Sequence, residues 1–176
     1  MKHNAKTLCP ECPDMVGRPA YLLGRSKECK NYDPSLDNKI LGFFGEYRFL
    51  SSFWLVPIVY EHVVYPSVEH AYQAAKSPNL LIKKNISEMR TPGEAKRAGK
   101  VLYRPDWHDI KLKVMENLVR KKFEDPVLRI RLLETGNMYL EETNTWRDTF
   151  WGVCNGVGEN NLGKILMKIR GEINEG

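Results

Sequence analysis

The segment Tyr65-Pro66-Ser67-Val68-Glu69-His70-Ala71-Tyr72-Gln73-Ala74-Ala75-Lys76 sets residues capable of acid–base chemistry at helical spacing. Glu69, Gln73 and Lys76 fall at i, i+4 and i+7, so a helix would line a carboxylate, an amide and an ammonium along one side. Val68, Ala71, Tyr72 and Ala75 fall at i, i+3, i+4 and i+7 and predict an apolar back for the same helix. A polar row over an apolar back can present chemistry to a cleft. Glu69 in the first turn also suits the helix dipole, and His70 reads more readily as a hydrogen-bonded residue near the core than as a catalyst.

A second run couples aromatic rings to glycines: Trp146-Arg147-Asp148-Thr149-Phe150-Trp151-Gly152, then Asn155-Gly156-Val157-Gly158-Glu159-Asn160-Asn161-Leu162-Gly163-Lys164. Glycines feeding a helix start predict free backbone N–H groups aimed at one spot, where the dipole favours an anion. Two tryptophans and an acid upstream suggest a pocket that stacks a planar ring. A tight turn with core tryptophans would give the same letters.

The third set is cysteine. Cys9 and Cys12 have the two-residue gap that lets both thiolates reach one zinc, and Cys29 could supply a third ligand. A second close pair is missing; His3, Asp14 or Asp33 could complete the set. Cys154 sits in the glycine-rich run and belongs elsewhere.

These residues need elements to hold them. Residues 1–38, broken by Pro10, Pro13, Pro19 and Pro34, read as a loop-rich arm, and 39–176 as one core domain. Ile40–Phe44 and Ile58–Tyr60 predict short strands, the second closing a hairpin around Glu61 with His62–Tyr65. Thr91-Pro92-Gly93-Glu94 has capping-box spacing and predicts a helix to about Lys100. Asp109–Phe123 predicts another, with Ile110, Val114, Met115 and Leu118 inward and its lysines outward. Asp125-Pro126 caps the next, which stops near Gly136. Met138–Leu140 reads as a strand, and Leu162, Ile165, Leu166, Ile169 and Ile173 as the inner face of a last helix. Five or so helices with a few short strands make an α+β fold.

Composition bounds the function. The chain has 176 residues, 42% of them hydrophobic and 28% charged, which is a globular balance and the size of one ordinary domain. No apolar run approaches the roughly 20 residues of a membrane span, and the N-terminal residues lack the apolar stretch of a secretory signal. A cytoplasmic setting with reduced thiols or a bound metal is therefore expected. The net charge of +5 is concentrated: residues 83–131 hold 14 Lys/Arg against 7 Asp/Glu. Such a block is either a solvated helix face or an anion-facing surface.

Taken together, Phe44 to Ser52, Tyr65 to Lys76, Arg104-Pro105-Asp106-Trp107, and Phe150-Trp151-Gly152 through Asn161-Leu162-Gly163 resemble the successive motifs of the YbiA/NADAR family, in order, across about residues 40–173. The resemblance implies a helix-rich α+β domain that acts on N-glycosidic bonds of ribosylated substrates. It further implies Glu69 as the catalytic acid, with Lys76, Trp107, Asp148 and Trp151 lining the pocket, and Asn161 and Gly163 on the substrate-phosphate side. Ser52, Phe53 and Gly152 fall in the same substrate-binding motifs. Where the family often has Phe-Leu-Ser-Asn-Phe, this chain has Phe49-Leu50-Ser51-Ser52-Phe53; where some members have Trp-Gly-Asp-Gly, it has Trp151-Gly152-Val153-Cys154.

The chemistry follows from the residue types. Cleaving a ribosyl C–N bond passes through an oxocarbenium-like state that a carboxylate stabilises while activating water. Asp148 could hold ribose hydroxyls or the water, and Lys76 could protonate the departing nitrogen. No step calls for a cofactor, although the arm could hold a structural zinc. The resemblance implies as substrate ADP-ribose on guanine bases of nucleic acid or related nucleotides, or else phosphoribosylamino pyrimidine intermediates of riboflavin synthesis. A pocket that binds ADP-ribose without turnover, and a zinc-stabilised adaptor, are the competing readings. Oligomeric state is not readable from the letters.

Overall fold

A computed structural model describes residues 37–175, so the cysteine-bearing arm, with Cys9, Cys12 and Cys29, lies outside the described residues. The described chain is α+β and divides into two compact units. One holds the residues up to Phe43 together with Asn137–Gly163; the other holds Phe44–Gly136 and the residues from Lys164 onward.

The larger unit begins with a 3₁₀ segment, Gly45–Leu50, and the hairpin β2 (Leu55–Tyr60) and β3 (Val63–Ser67). Glu61 and His62 both have positive φ (47° and 64°), the two-residue turn whose twist suits antiparallel strands, at the place the sequence indicates. The register slips between Leu55 and Ile58, around Pro57, which has no N–H to give to a ladder.

Five helices follow: α1 (Val68–Ala74), α2 (Leu80–Ser87), α3 (Pro92–Gly99), α4 (Trp107–Lys122) and α5 (Pro126–Glu134). The starts of α1, α2, α3 and α5 are set by side chains that take up unpaired N–H groups. Asp125 Oδ1 accepts from the N–H groups of Val127 and Leu128 at 3.0 and 2.9 Å, and Thr91 Oγ1 accepts from Glu94 N. The return bond of the capping box reaches one residue further than its usual target: Glu94 Oε2 accepts from Arg90 N. Helix α2 is absent from the sequence reading; Asn79, whose Oδ1 accepts from Leu81 N at 2.8 Å, starts it, and Ile86 is its single buried residue.

Helix α4 departs from expectation on one side chain. Val114, Met115 and Leu118 are inward as read, but so is Lys122, 1% exposed and one turn beyond Leu118 on the same stripe. A buried ammonium requires an acceptor, and Lys122 Nζ donates to the Ser51 carbonyl at 2.7 Å. The last helix, α6 (Asn161–Glu175), lies mainly in this unit, where Lys168 pairs with Glu116 at 2.8 Å and Arg170 donates to Thr135. Ile165, Leu166 and Ile169 are buried on its inner face, each contributing about 1.5–3 kcal/mol.

The smaller unit is built on short parallel pairs. Strand β1 (Lys39–Leu41) pairs with β4 (Tyr139–Glu141), Ile40 opposite Leu140, and both side chains are fully buried. Strands β5 (Thr143–Asn144) and β6 (Val153–Cys154) form the second pair. Asn155 and Gly156, both at positive φ, close a tight turn in which Cys154 and Val157 exchange two backbone hydrogen bonds. No helix among the described residues is long and apolar enough to cross a membrane.

One contact in the larger unit sets how closely α1 and α3 approach. A Cβ on Gly99 would stand 1.9 Å from Gln73 Oε1 and 2.9 Å from Gln73 Cβ. Alanine in place of a helical glycine ordinarily adds about 0.5–1 kcal/mol. Gly99→Ala is instead expected to cost about 1–3 kcal/mol through overpacking, read as a lower urea midpoint; an unchanged or higher midpoint would show that Gln73 can swing clear.

Candidate active site

Helix α1 is buried on every side. Ser67 caps it, with Oγ accepting from His70 N, and Glu69 N donates to the Ser52 carbonyl at 3.0 Å. The sequence pattern suggested a polar row facing a cleft; Glu69 and Gln73 are instead 5% and 4% exposed, because the 51–53 loop and α3 cover that side. The Glu69 carboxyl is therefore satisfied from within. Its Oε1 accepts from Gln73 Nε2 at 2.8 Å and its Oε2 from Ser52 Oγ at 3.3 Å. Burial pushes its pKa above the ordinary 4.5, and the Gln73 bond, the Lys96 charge, the Ser52 bond and the Lys76 charge pull the other way without prevailing.

Two lysines act on this carboxyl within the same unit, and each stands near aromatic rings. Lys76 Nζ stands 5.7 Å from the Tyr72 ring centroid and 5.6 Å from that of Trp107, and it donates to the Gly99 carbonyl at 3.4 Å. Tyr72 and Trp107 pack with centroids 4.9 Å apart. Lys96, from α3, lies 5.7 Å from the centroid of Phe53. Such cation–π geometry holds an ammonium at a ring face without a carboxylate partner. Burial lowers the Lys76 pKa, only partly offset by the Glu69 charge. Ser52, Phe53, Glu69, Lys76 and Trp107, five of the residues singled out from sequence, thus belong to one unit and cluster on α1 and its neighbours. Gln73 was legible as the i+4 partner of Glu69 but carried no assigned role. Lys96 and Gly99 carry no signal until α3 is docked.

His70 is structural. It is fully buried, with Nδ1 2.8 Å from Ser67 Oγ and Nε2 3.2 Å from the Met89 carbonyl, and burial lowers its pKa.

The remaining candidates, Asp148, Trp151, Gly152, Asn161 and Gly163, lie in the smaller unit. Asp148 Oδ1 accepts from Phe150 N at 3.2 Å and Trp151 N at 2.9 Å, while Asn144 clamps the Asp148 backbone from both sides. Trp151 meets Phe150 edge-on, centroids 4.9 Å apart. The expectation of free N–H groups at the start of α6 is not met at its entry. The N–H groups of Glu159, Asn160, Asn161 and Leu162 donate to the carbonyls of Thr149, Gly152, Phe150 and Trp151. Asn161 Nδ2 adds bonds to the Phe150 carbonyl and to Glu159. The glycines serve close packing: a Cβ would lie 2.1 Å from the Glu142 carbonyl oxygen at Gly152 and 2.1 Å from that of Leu140 at Gly163. Among the described residues no group of three His, Cys, Asp or Glu side chains could hold a metal ion.

The buried acid makes a testable stability statement. With its folded pKa raised, Glu69 contributes stability that is fully present below 4.5 and is lost as pH rises through the folded value. Glutamine fits the same bonds, its carbonyl facing Gln73 Nε2 and its amide facing Ser52 Oγ. Glu69→Gln is therefore expected to gain on the wild type as pH rises from acid to neutral, measured as the difference in denaturation free energy. A difference that stays flat across that range would place the carboxyl in a water-like environment.

The chain is 32% identical over 146 residues to the N-glycosidase YbiA of Escherichia coli, covering 78% of this chain and 91% of that protein. It is 36% identical over 132 residues to a riboflavin biosynthesis protein of Vibrio vulnificus, covering 72% of this chain but 36% of that relative's length. The NMR structure of Escherichia coli YbiA superposes with a TM-score of 0.70 at 31% identity, over 78% of this chain and 86% of that one. The family model described as NADAR domain matches residues 39–174. This chain belongs to the NADAR domain family.

Proposed function

We propose that this protein hydrolyses an N-glycosidic bond of a ribosylated substrate, with Glu69 as the carboxyl that receives the proton of the attacking water. The observation that carries the reading is the buried Glu69 carboxyl, bonded by Gln73 and Ser52 and flanked by Lys76 and Lys96. In the reaction, water oxygen bonds to C1′ of the ribose and its proton passes to Glu69. The C1′–N electron pair leaves with the base nitrogen, which takes a proton from the Lys76 ammonium; solvent then returns the proton from Glu69 to Lys76. A carboxyl pKa raised by burial and an ammonium pKa lowered by burial bring acceptor and donor toward one working pH. The negative charge of Glu69 also stabilises the oxocarbenium-like state.

Two substrate classes are supported by different observations. The block of 14 basic residues in 83–131 lies wholly in the unit that holds Glu69, which suits phosphate-rich substrates such as ADP-ribosylated guanine in nucleic acid. The name of the relative from Vibrio vulnificus, a riboflavin biosynthesis protein, favours a phosphoribosylamino pyrimidine.

A panel offering ADP-ribosylated guanine in DNA, free ADP-ribosyl nucleosides and phosphoribosylamino pyrimidine separates the two. Turnover of at least one is expected, and Glu69→Gln should lower kcat by about 10²–10⁴-fold while keeping the fold. A steep loss of affinity with added salt marks the nucleic-acid substrate. Tight ADP-ribose binding with no turnover of any substrate would make the site a binding module, and full activity in Glu69→Gln would remove this residue from the mechanism.

A further inference from the structure

The two oxygens of the Glu69 carboxyl are held by partners of different kinds. Gln73 Nε2 is a donor only, 2.8 Å from Oε1 in a wholly buried bond. The other end of that amide, Gln73 Oε1, is buried without a hydrogen-bond partner among the described residues and points into the space that a Cβ on Gly99 would fill. Turning the amide over would therefore bring its N–H₂ against the bare Cα of Gly99 and set its carbonyl oxygen against the carboxylate. The amide is locked as a donor to Oε1. Ser52 is a hydroxyl, able to donate or accept, 3.3 Å from Oε2 in a half-buried bond. It can give its hydrogen to the carboxylate and, with the hydroxyl rotated, accept one from the carboxylic acid.

From this asymmetry we infer that the proton Glu69 takes up in turnover resides on Oε2, with Ser52 reversing its hydrogen bond, and that Gln73 is a positioning residue that bars Oε1 from protonation. A proton on Oε1 would face the Gln73 N–H head on; a proton on Oε2 faces an oxygen. Oε2 is also the oxygen on the half-buried side, where water can approach. The chemistry balances: ionised Glu69 accepts a bond at each oxygen, and after proton transfer Oε1 keeps its bond from Gln73 as the acid's carbonyl while Oε2–H donates to Ser52. The charged groups acting on this carboxyl are Lys76 of its own helix and Lys96 of α3. The inference rests on the proposed role of Glu69 but concerns a property that can be read without substrate.

The test is infrared difference spectroscopy between acid and neutral pH on protein carrying ¹³C-labelled glutamate, with Glu69→Gln identifying the Glu69 band. With the proton on Oε2, the carbonyl of the acid form is the oxygen bonded by Gln73. Gln73→Leu should then move that carbonyl band to higher frequency, and Gln73→Met, with its flexible unbranched chain, should do the same should leucine not fold. Ser52→Ala should leave the band in place while raising the pH midpoint, since a donor to the ionised form is lost. In steady-state kinetics Gln73→Leu should lower kcat by about 10²-fold through a misplaced carboxyl, with KM little changed, and the acid limb of its pH profile should move to higher pH. A carbonyl band that moves in Ser52→Ala and stays in Gln73→Leu overturns the assignment. Failure of every substrate in the panel would overturn the proposed function and leave the infrared assignment standing.

Discussion

A carboxyl has to stay buried on a helix enclosed by its neighbours, and much of the larger unit is arranged to permit it. An unsatisfied buried carboxylate costs several kcal/mol, more than most single contacts return. Glu69 offsets part of that cost through a bond at each oxygen and two nearby ammonium charges. Each support imposes a further demand. Gln73 can reach Oε1 only where α3 brings a residue without a side chain against it, and Gly99 is that residue. Ser52 reaches Oε2 because its own carbonyl is held by Glu69 N and the preceding carbonyl by the buried Lys122. The fold thus spends a glycine, an inward lysine and an orphaned amide oxygen on one acid.

The lysines beside the acid are held differently from those on the outer faces. Lys168, Arg120 and Arg104 pair with carboxylates on the surface, where such pairs contribute about 0–1 kcal/mol. Lys76 and Lys96 rest over aromatic rings. A ring face neutralises no charge, so these cations keep most of their pull on Glu69 and on any anionic ligand. In the smaller unit the aromatic and glycine-rich loop is stitched to itself through backbone carbonyls, the Asp148 carboxylate and the Asn144 and Asn160 amides.

Several elements could be read directly from the letters because their causes are local. The hairpin shows as a polar break around Glu61 between the apolar runs of its two strands. Thr91-Pro92 and Asp125-Pro126 announce helix starts through a cap and a preset φ. The row Glu69, Gln73, Lys76 follows from 3.6 residues per turn. What escaped was set by partners distant in the chain. Helix α2 has one buried residue, so its period is faint. Lys122 reads as an outward lysine until the Ser51 carbonyl, 71 residues earlier, is placed against it. Gly152 and Gly163 look like phosphate-cradling glycines because close backbone approach and anion binding both call for a missing side chain.

The sequence by itself determined the α+β class, the helix that carries Glu69, the order of the motifs and, through them, the family. Those depend on periodicity, caps and residue identity, which act over a turn or two of chain. Tertiary structure alone decided that the polar row of α1 is enclosed, that Glu69 answers to Gln73 on one oxygen and Ser52 on the other, and that Lys96 and Gly99 stand beside them. Burial and hydrogen-bond satisfaction are properties of a place, and a place is made by segments far apart in the chain; no window of letters contains it.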